Sequence, residues 1–277
     1  MNVVGGALAG GGGSLARDDD PELVAAAAPF GLKTMESLLE ASPRNQDLLL
    51  AATSGFVQYA YAFVQAEADY VEARDLARAT EQRARAKRLY LRARGYGLRG
   101  LDVRHERFEE RLRAETGALL AQATKEDVPF LYWTGAAWAA AAAISKTDAE
   151  LSADLPLVEA MMRRALALDE GYGKGAIHDF LMSYEAGRPA SGGGSVERAR
   201  GHFERALSVS GGSRASLFVS WAESVSVQKQ DRAEFRQLLE RALAIDPDAF
   251  PDQRLANLIA QKRARWLLSR SDDLFLE

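Results

Sequence analysis

Three segments of this chain end in the same tripeptide: Arg164-Ala165-Leu166, Arg205-Ala206-Leu207 and Arg241-Ala242-Leu243. The endings lie 41 and 36 residues apart. Three or four residues before each alanine stands an apolar residue, Met161, Phe203 or Leu239. After each ending comes a turn signal: Asp169-Glu170-Gly171, Ser210-Gly211-Gly212 and Asp246-Pro247-Asp248. Each turn leads into another apolar helical pattern, over 174–186, 213–228 and 252–268. A repeat constrains a fold more than any single segment does. One helical hairpin cannot bury its apolar face alone, whereas stacked hairpins share a continuous core. The predicted class is all-α, a tetratricopeptide-like helical repeat solenoid. The strict period of about 34 residues is absent. The repeats are therefore degenerate, with inserted loops such as Gly187–Ser195 and extra helices at both ends. Trp266, Leu267 and Leu268 are placed to cap the open end of the stack.

Upstream, Asp18-Asp19-Asp20 before Pro21 signals a helix start. Pro29 is expected to kink or split that helix, and Ser42-Pro43 to end it. A second helix is predicted over 46–70, with Leu49, Ala52, Phe56, Tyr59 and Phe63 on one face. A long charged helix is predicted over 72–98, ending near Gly95, Gly97 and Gly100. Another follows over 104–123, and Pro129 opens an aromatic and alanine-rich helix over 129–145. Two uncharged stretches, 48–66 and 128–145, reach the minimum length of a membrane span. Polar side chains in the first and weakly apolar alanines in the second favour helices buried on most sides.

Composition narrows the function. The chain is poor in β-branched residues, which excludes an all-β sandwich or barrel. It has no cysteine, so disulfides, cysteine-ligated metals and cysteine nucleophiles are excluded. Charged residues make up 27% and apolar ones 47%, enough to build a core. A net charge of -4 disfavours a generally basic nucleic-acid binder, and no nucleic-acid partner is expected. The three histidines fall in separate segments, so no metal site is expected. No cofactor is expected. Residues 1–17 read as a flexible glycine-rich tether, and 18–277 as a single helical-repeat domain.

Motifs that carry chemistry fail their context tests. Gly95-Tyr96-Gly97-Leu98-Arg99-Gly100 matches GxGxxG but follows a charged helix rather than a strand, so it reads as a helix-ending turn. Gly171-Tyr172-Gly173-Lys174-Gly175 lacks Walker spacing and reads as a turn between hairpins. No GxSxG elbow and no recognisable carboxylate pair point to an enzyme. Arg83 to Arg107 holds nine Lys/Arg and two acids, Asp102 and Glu106. Such a run is a docking stripe for anions, nucleic acid or proteins, or, more often, a solvated helix face. The aromatics sit on the first helices of successive hairpins, which line the concave side of a solenoid. They either line a ligand cavity or pack the core.

The runs Asp20-Pro21-Glu22-Leu23-Val24, Pro29-Phe30, Glu36-Ser37-Leu38-Leu39 and Gly55-Phe56-Val57-Gln58-Tyr59-Ala60-Tyr61-Ala62-Phe63 resemble the TatT family. So do Arg164-Ala165-Leu166-Ala167-Leu168-Asp169, Gly175-Ala176-Ile177-His178, Arg254-Leu255-Ala256-Asn257 and Arg263-Ala264-Arg265-Trp266-Leu267-Leu268. These are the T components associated with tripartite ATP-independent periplasmic (TRAP) transporters. The resemblance covers roughly residues 18–277. It implies a non-enzymatic periplasmic accessory protein, lipid-anchored in full-length form, that docks the substrate-binding P component and assembles as a homotrimer. It further implies a cavity that holds or passes a hydrophobic or organic-acid ligand. Helix position and family motif together assign that cavity to Phe56, Tyr59, Phe63, Trp133, Trp138, Phe180 and Tyr184, with polar contacts from His178 and Asn257. The anchor cysteine is absent, so a trimmed signal and lipid-attachment site are expected ahead of Met1. The alternative is a structural scaffold that binds a protein or peptide on its concave face without a small ligand.

Overall fold

A computed structural model describes residues 12–276, and all regular structure among the described residues is helical. The all-α expectation holds. Packing divides the chain into two compact units. Unit 1 holds Glu22–Asp169; unit 2 holds Gly13–Pro21 and the chain from Glu170 onward. Helix α1 (Gly12–Ala16) begins the described chain, and Arg17 pairs with Asp252 at 2.7 Å inside unit 2. The tether expected over 1–17 is thus helical near its end, and its first 11 residues lie outside the described residues.

In unit 1, α2 (Pro21–Ala41) runs through Pro29 as one element, where a kink or split was expected. Proline already holds a helical φ, and buried Val24, Leu32 and Leu39 fasten the helix on both sides of it. Next come α3 (Gln46–Tyr59), a π-helical segment (Ala60–Gln65) and α4 (Ala66–Val71). Asn45 caps α3 by accepting from the Leu48 amide at 3.0 Å. No periodicity announces the π segment. Its last residue, Gln65, accepts a hydrogen bond from the buried Tyr90 hydroxyl at 2.6 Å. Asp75 caps the long helix α5 (Leu76–Arg104). The helix expected over 104–123 is two, α6 (Phe108–Ala114) and α7 (Thr116–Ala121), separated at Glu115. Unit 1 closes with α8 (Val128–Ala143), α9 (Ala149–Ala153) and α10 (Leu155–Leu168).

The GxGxxG segment corrects a reading. It is not a turn: α5 continues through Gly95, Gly97 and Gly100 to Arg104. Gly97 and Gly100 face α3 and α8, which pack closely on α5. A Cβ at Gly97 would fall on Thr134 Oγ1 and 3.1 Å from Thr53 Cγ2. A Cβ at Gly100 would lie 2.5–2.6 Å from ring carbons of Phe130. Helix propensity argues against glycine here, but close approach of helix backbones selects it.

Unit 2 is built from α11 (Ala176–Ala186), α12 (Val196–Ser210), α13 (Ala215–Trp221) with its π-helical extension (Ala222–Ser226), α14 (Arg232–Leu243), α15 (Arg254–Ser269) and the short α16 (Ser271–Leu274). α11 pairs with α12, while α13, α14 and α15 pack on one another. The turn expected at Gly171–Gly175 is present, with Gly173, Lys174 and Gly175 at positive φ. The expected Gly187–Ser195 loop is pinned by Glu185, whose fully buried carboxylate accepts from Arg188 and Arg198.

The repeated tripeptide now has a physical meaning. Ala165, Ala206 and Ala242 are all fully buried, as befits the small residue where helices meet. A Cβ at Gly175 would lie 3.2 Å from the Ala206 backbone, so the turn presses directly on that helix. The arginines reach outward. Arg164 donates to the Ala121 and Ala123 carbonyls at the end of α7, Arg205 to Glu170, and Arg241 stacks 4.5 Å over Phe218. No helix among the described residues is long and apolar enough to cross a membrane. The uncharged α8 is instead buried on most sides, at Val128, Leu131, Thr134, Gly135, Ala137, Trp138 and Ala141 among others.

Candidate functional site

The predicted cavity residues fall into two groups by burial. In unit 1, α3 carries Phe56 and Tyr59, the π segment carries Phe63, and α8 carries Trp133 and Trp138. Phe56 is buried and stacks on Tyr96 with ring centroids 5.9 Å apart. Trp138 is fully buried, with the Arg94 guanidinium 3.8 Å from its ring centre and Arg113 at 5.6 Å. Arg94 pairs with Glu109, and Arg113 with Asp154 and Glu109. Both side chains therefore pack the interior of the unit. Tyr59 and Phe63 differ: they are half-buried, 6.0 Å apart, and the Tyr59 hydroxyl accepts from Arg85 at 3.2 Å. Trp133 is half-buried too and meets Tyr132 edge-on at 5.0 Å.

In unit 2, Phe180 and Tyr184 stand one turn apart on α11, half-buried and stacked at 6.1 Å. Arg188 extends the stack, 4.0 Å over the Tyr184 ring. Asn257 on α15 is buried. Its oxygen accepts from the Ala215 amide at 2.9 Å, and its nitrogen donates to the Ser213 carbonyl at 3.0 Å. Those bonds fasten the entry to α13. One turn on, Gln261 donates to the Ala242, Leu243 and Ile245 carbonyls and so satisfies the open end of α14. Local sequence could not reveal either role, because the bonded backbone lies 16–44 residues away.

His178 is buried in a polar chain that sequence reasoning missed. Its Nε2 lies 3.1 Å from Glu170 Oε1, and its Nδ1 lies 2.8 Å from Nδ1 of His202. Arg205 grips both oxygens of Glu170. Hydrogen bonds from Arg205 and His178 hold the Glu170 carboxyl at about 2, well below its ordinary 4.5. Glu170 thus stays ionised and accepts a hydrogen bond from His178 Nε2. His178 Nδ1 and His202 Nδ1 share a hydrogen bond that extends the chain. A carboxyl depressed on folding stabilises the fold fully above its unfolded value and loses that contribution as pH falls through the folded value. Acid unfolding of unit 2 is expected to steepen between about pH 4.5 and 2. The Glu170→Gln variant should lose that steepening, as followed by circular dichroism; an unchanged acid profile would remove the linkage.

The basic run of α5 is largely neutralised within the fold. Arg83 pairs with Asp69 and Glu72, Lys87 with Asp148, Arg92 with Glu36, Arg94 with Glu109, and Arg104 with Glu126 and Asp127. Among the described residues no group of three or more His, Asp or Glu side chains could hold a metal ion.

Comparison with known proteins bears on the whole chain. Residues 17–275 match the family model described as TRAP transporter T-component. The chain is also 33% identical over 268 residues to an uncharacterized protein of Treponema pallidum (strain Nichols), a match that covers 94% of this chain and 82% of that protein.

Proposed function

The chain belongs to the TRAP transporter T-component family, and from that premise we propose that it is a non-enzymatic periplasmic accessory protein that docks the substrate-binding P component and holds or passes a hydrophobic or organic-acid ligand. Its hairpins form a tetratricopeptide-like stack, three copies assemble into the working unit, and a lipid anchor on the full-length form keeps it at a membrane. The ligand half of this reading rests on one observation. Tyr59, Phe63, Trp133, Phe180 and Tyr184 remain half-buried, although residues of this kind normally complete a core. Large aromatic faces with Arg85 at Tyr59 and Arg188 over Tyr184 suit an apolar or weakly acidic solute.

A second reading, a scaffold for a protein or peptide without a small ligand, draws support from Phe56, Trp138 and Asn257, whose side chains are committed to packing and capping. Native mass spectrometry with the co-encoded binding protein separates the two. The first reading expects a complex and a retained small molecule. Loss of the small molecule, with the complex kept, is expected when Tyr59, Trp133 and Tyr184 are replaced by alanine. A complex that never carries a small molecule would leave the scaffold reading standing instead.

A further inference from the structure

In unit 1 an open groove of about 400 Å³ runs between α2 and α5. Leu39 and Pro43 supply apolar surface, and the Tyr96 ring, stacked on Phe56, supplies more. Glu36 lies in the same groove but is already satisfied. It accepts from Lys33 Nζ at 2.6 Å and from the Tyr96 hydroxyl at 2.7 Å, with Arg92 at 3.5 Å. Burial opposes its charge, yet those hydrogen bonds and Arg92 hold its carboxyl below the usual range. Burial and the bond to Glu36 push the Tyr96 phenol up to about 12, so it remains a donor at neutral pH. Lys33 and Glu36 are thus spent on each other and on the groove wall.

Two charges in the groove are not spent. Arg99 donates one N–H to the Pro43 carbonyl at 2.9 Å and lies 5.4 Å from the Tyr96 ring centre. Both contacts fix its position, and neither neutralises it. Glu40 is exposed on the α2 side of the same groove. Among the described residues, neither Arg99 nor Glu40 has an oppositely charged side chain within 4.0 Å. A held guanidinium presents a planar fork suited to a carboxylate. A carboxylate lining the same groove suits an ammonium group.

We propose that this groove binds a small zwitterion, a free amino acid with an apolar side chain, with its carboxylate on Arg99, its ammonium on Glu40 and its side chain over Leu39, Pro43 and Tyr96. The groove volume falls within the range of small-molecule sites. The site is separate from the half-buried aromatics and stands or falls without them.

Isothermal titration of the full chain tests it with three probes: L-leucine, N-acetyl-L-leucine, which keeps only the negative charge, and L-leucinamide, which keeps only the positive one. L-Leucine is expected to bind one site per chain, at least about ten-fold tighter than either analogue. The Glu40→Gln variant should weaken L-leucine by a similar factor and leave N-acetyl-L-leucine unchanged. The Arg99→Gln variant should weaken L-leucine and N-acetyl-L-leucine and spare L-leucinamide. Both positions are exposed, and the three probes on the unaltered chain decide the matter even if a variant misfolds. Absent heat with L-leucine, or equal binding of all three probes, would overturn the site. The triple alanine variant of Tyr59, Trp133 and Tyr184 should bind L-leucine normally, so failure here and failure of the aromatic cavity are distinguishable.

Discussion

Alanine at position 100 is expected to destabilise unit 1 by about 2–3 kcal/mol, although in a helix interior the same change ordinarily stabilises by about 0.5–1 kcal/mol. The sign reverses because the new methyl carbon would sit 2.5–2.6 Å from ring carbons of Phe130, so a buried ring must shift to admit it. Gly95 supplies the control. It lies five residues earlier on the same helix, and a Cβ there meets nothing within 4 Å. Gly95→Ala should therefore raise the urea midpoint while Gly100→Ala lowers it. Adding Phe130→Leu to Gly100→Ala should recover part of the loss, which a double-mutant cycle would read as coupling. If both glycine variants shifted the midpoint in the same direction, the close crossing of α5 and α8 would be wrong.

Trp138→Ala is expected to cost more, about 3–5 kcal/mol, the range for deleting a large buried aromatic. The indole is fully buried on α8 and lies between guanidinium groups from α5 and α6. Its removal opens a cavity and also strips Arg94 of the face it covers, although Arg94 keeps its bond to Glu109. The chemistry of the indole matters less than its volume, because Trp138 Nε1 has no hydrogen-bond partner. Trp138→Phe should accordingly cost only about 1–2 kcal/mol. Equal losses for the two variants in chemical denaturation would mean that the N–H, not the ring, is what the site needs.

These two positions show how far sequence could reach. Helix position and family resemblance point to Trp138 as a cavity residue, and it lies on α8, the aromatic and alanine-rich helix that Pro129 announces. Its burial depends on Arg94 and Arg113, which lie 44 and 25 residues away and carry no local mark. The three Arg-Ala-Leu endings were legible because a repeated packing problem leaves a repeated residue choice. The half-buried state of Tyr59, Phe63, Trp133, Phe180 and Tyr184 was not legible, since a ring that packs a core and a ring that borders solvent look alike in a sequence.

By itself the sequence determined the helical class, the hairpin turns and the family. The first two follow from short-range physics, from apolar spacing along a helix, glycine at positive φ and proline that cannot donate; the family rests on the resemblance of whole sequence runs. Only the tertiary structure decided that Gly97 and Gly100 lie within a helix, that Asn257 and Gln261 secure backbone groups, and that His178 joins Glu170 and His202. Each of those outcomes depends on which distant atom arrives at contact distance. A side chain's role is fixed by the partner that satisfies it, and no propensity of the residue itself names that partner.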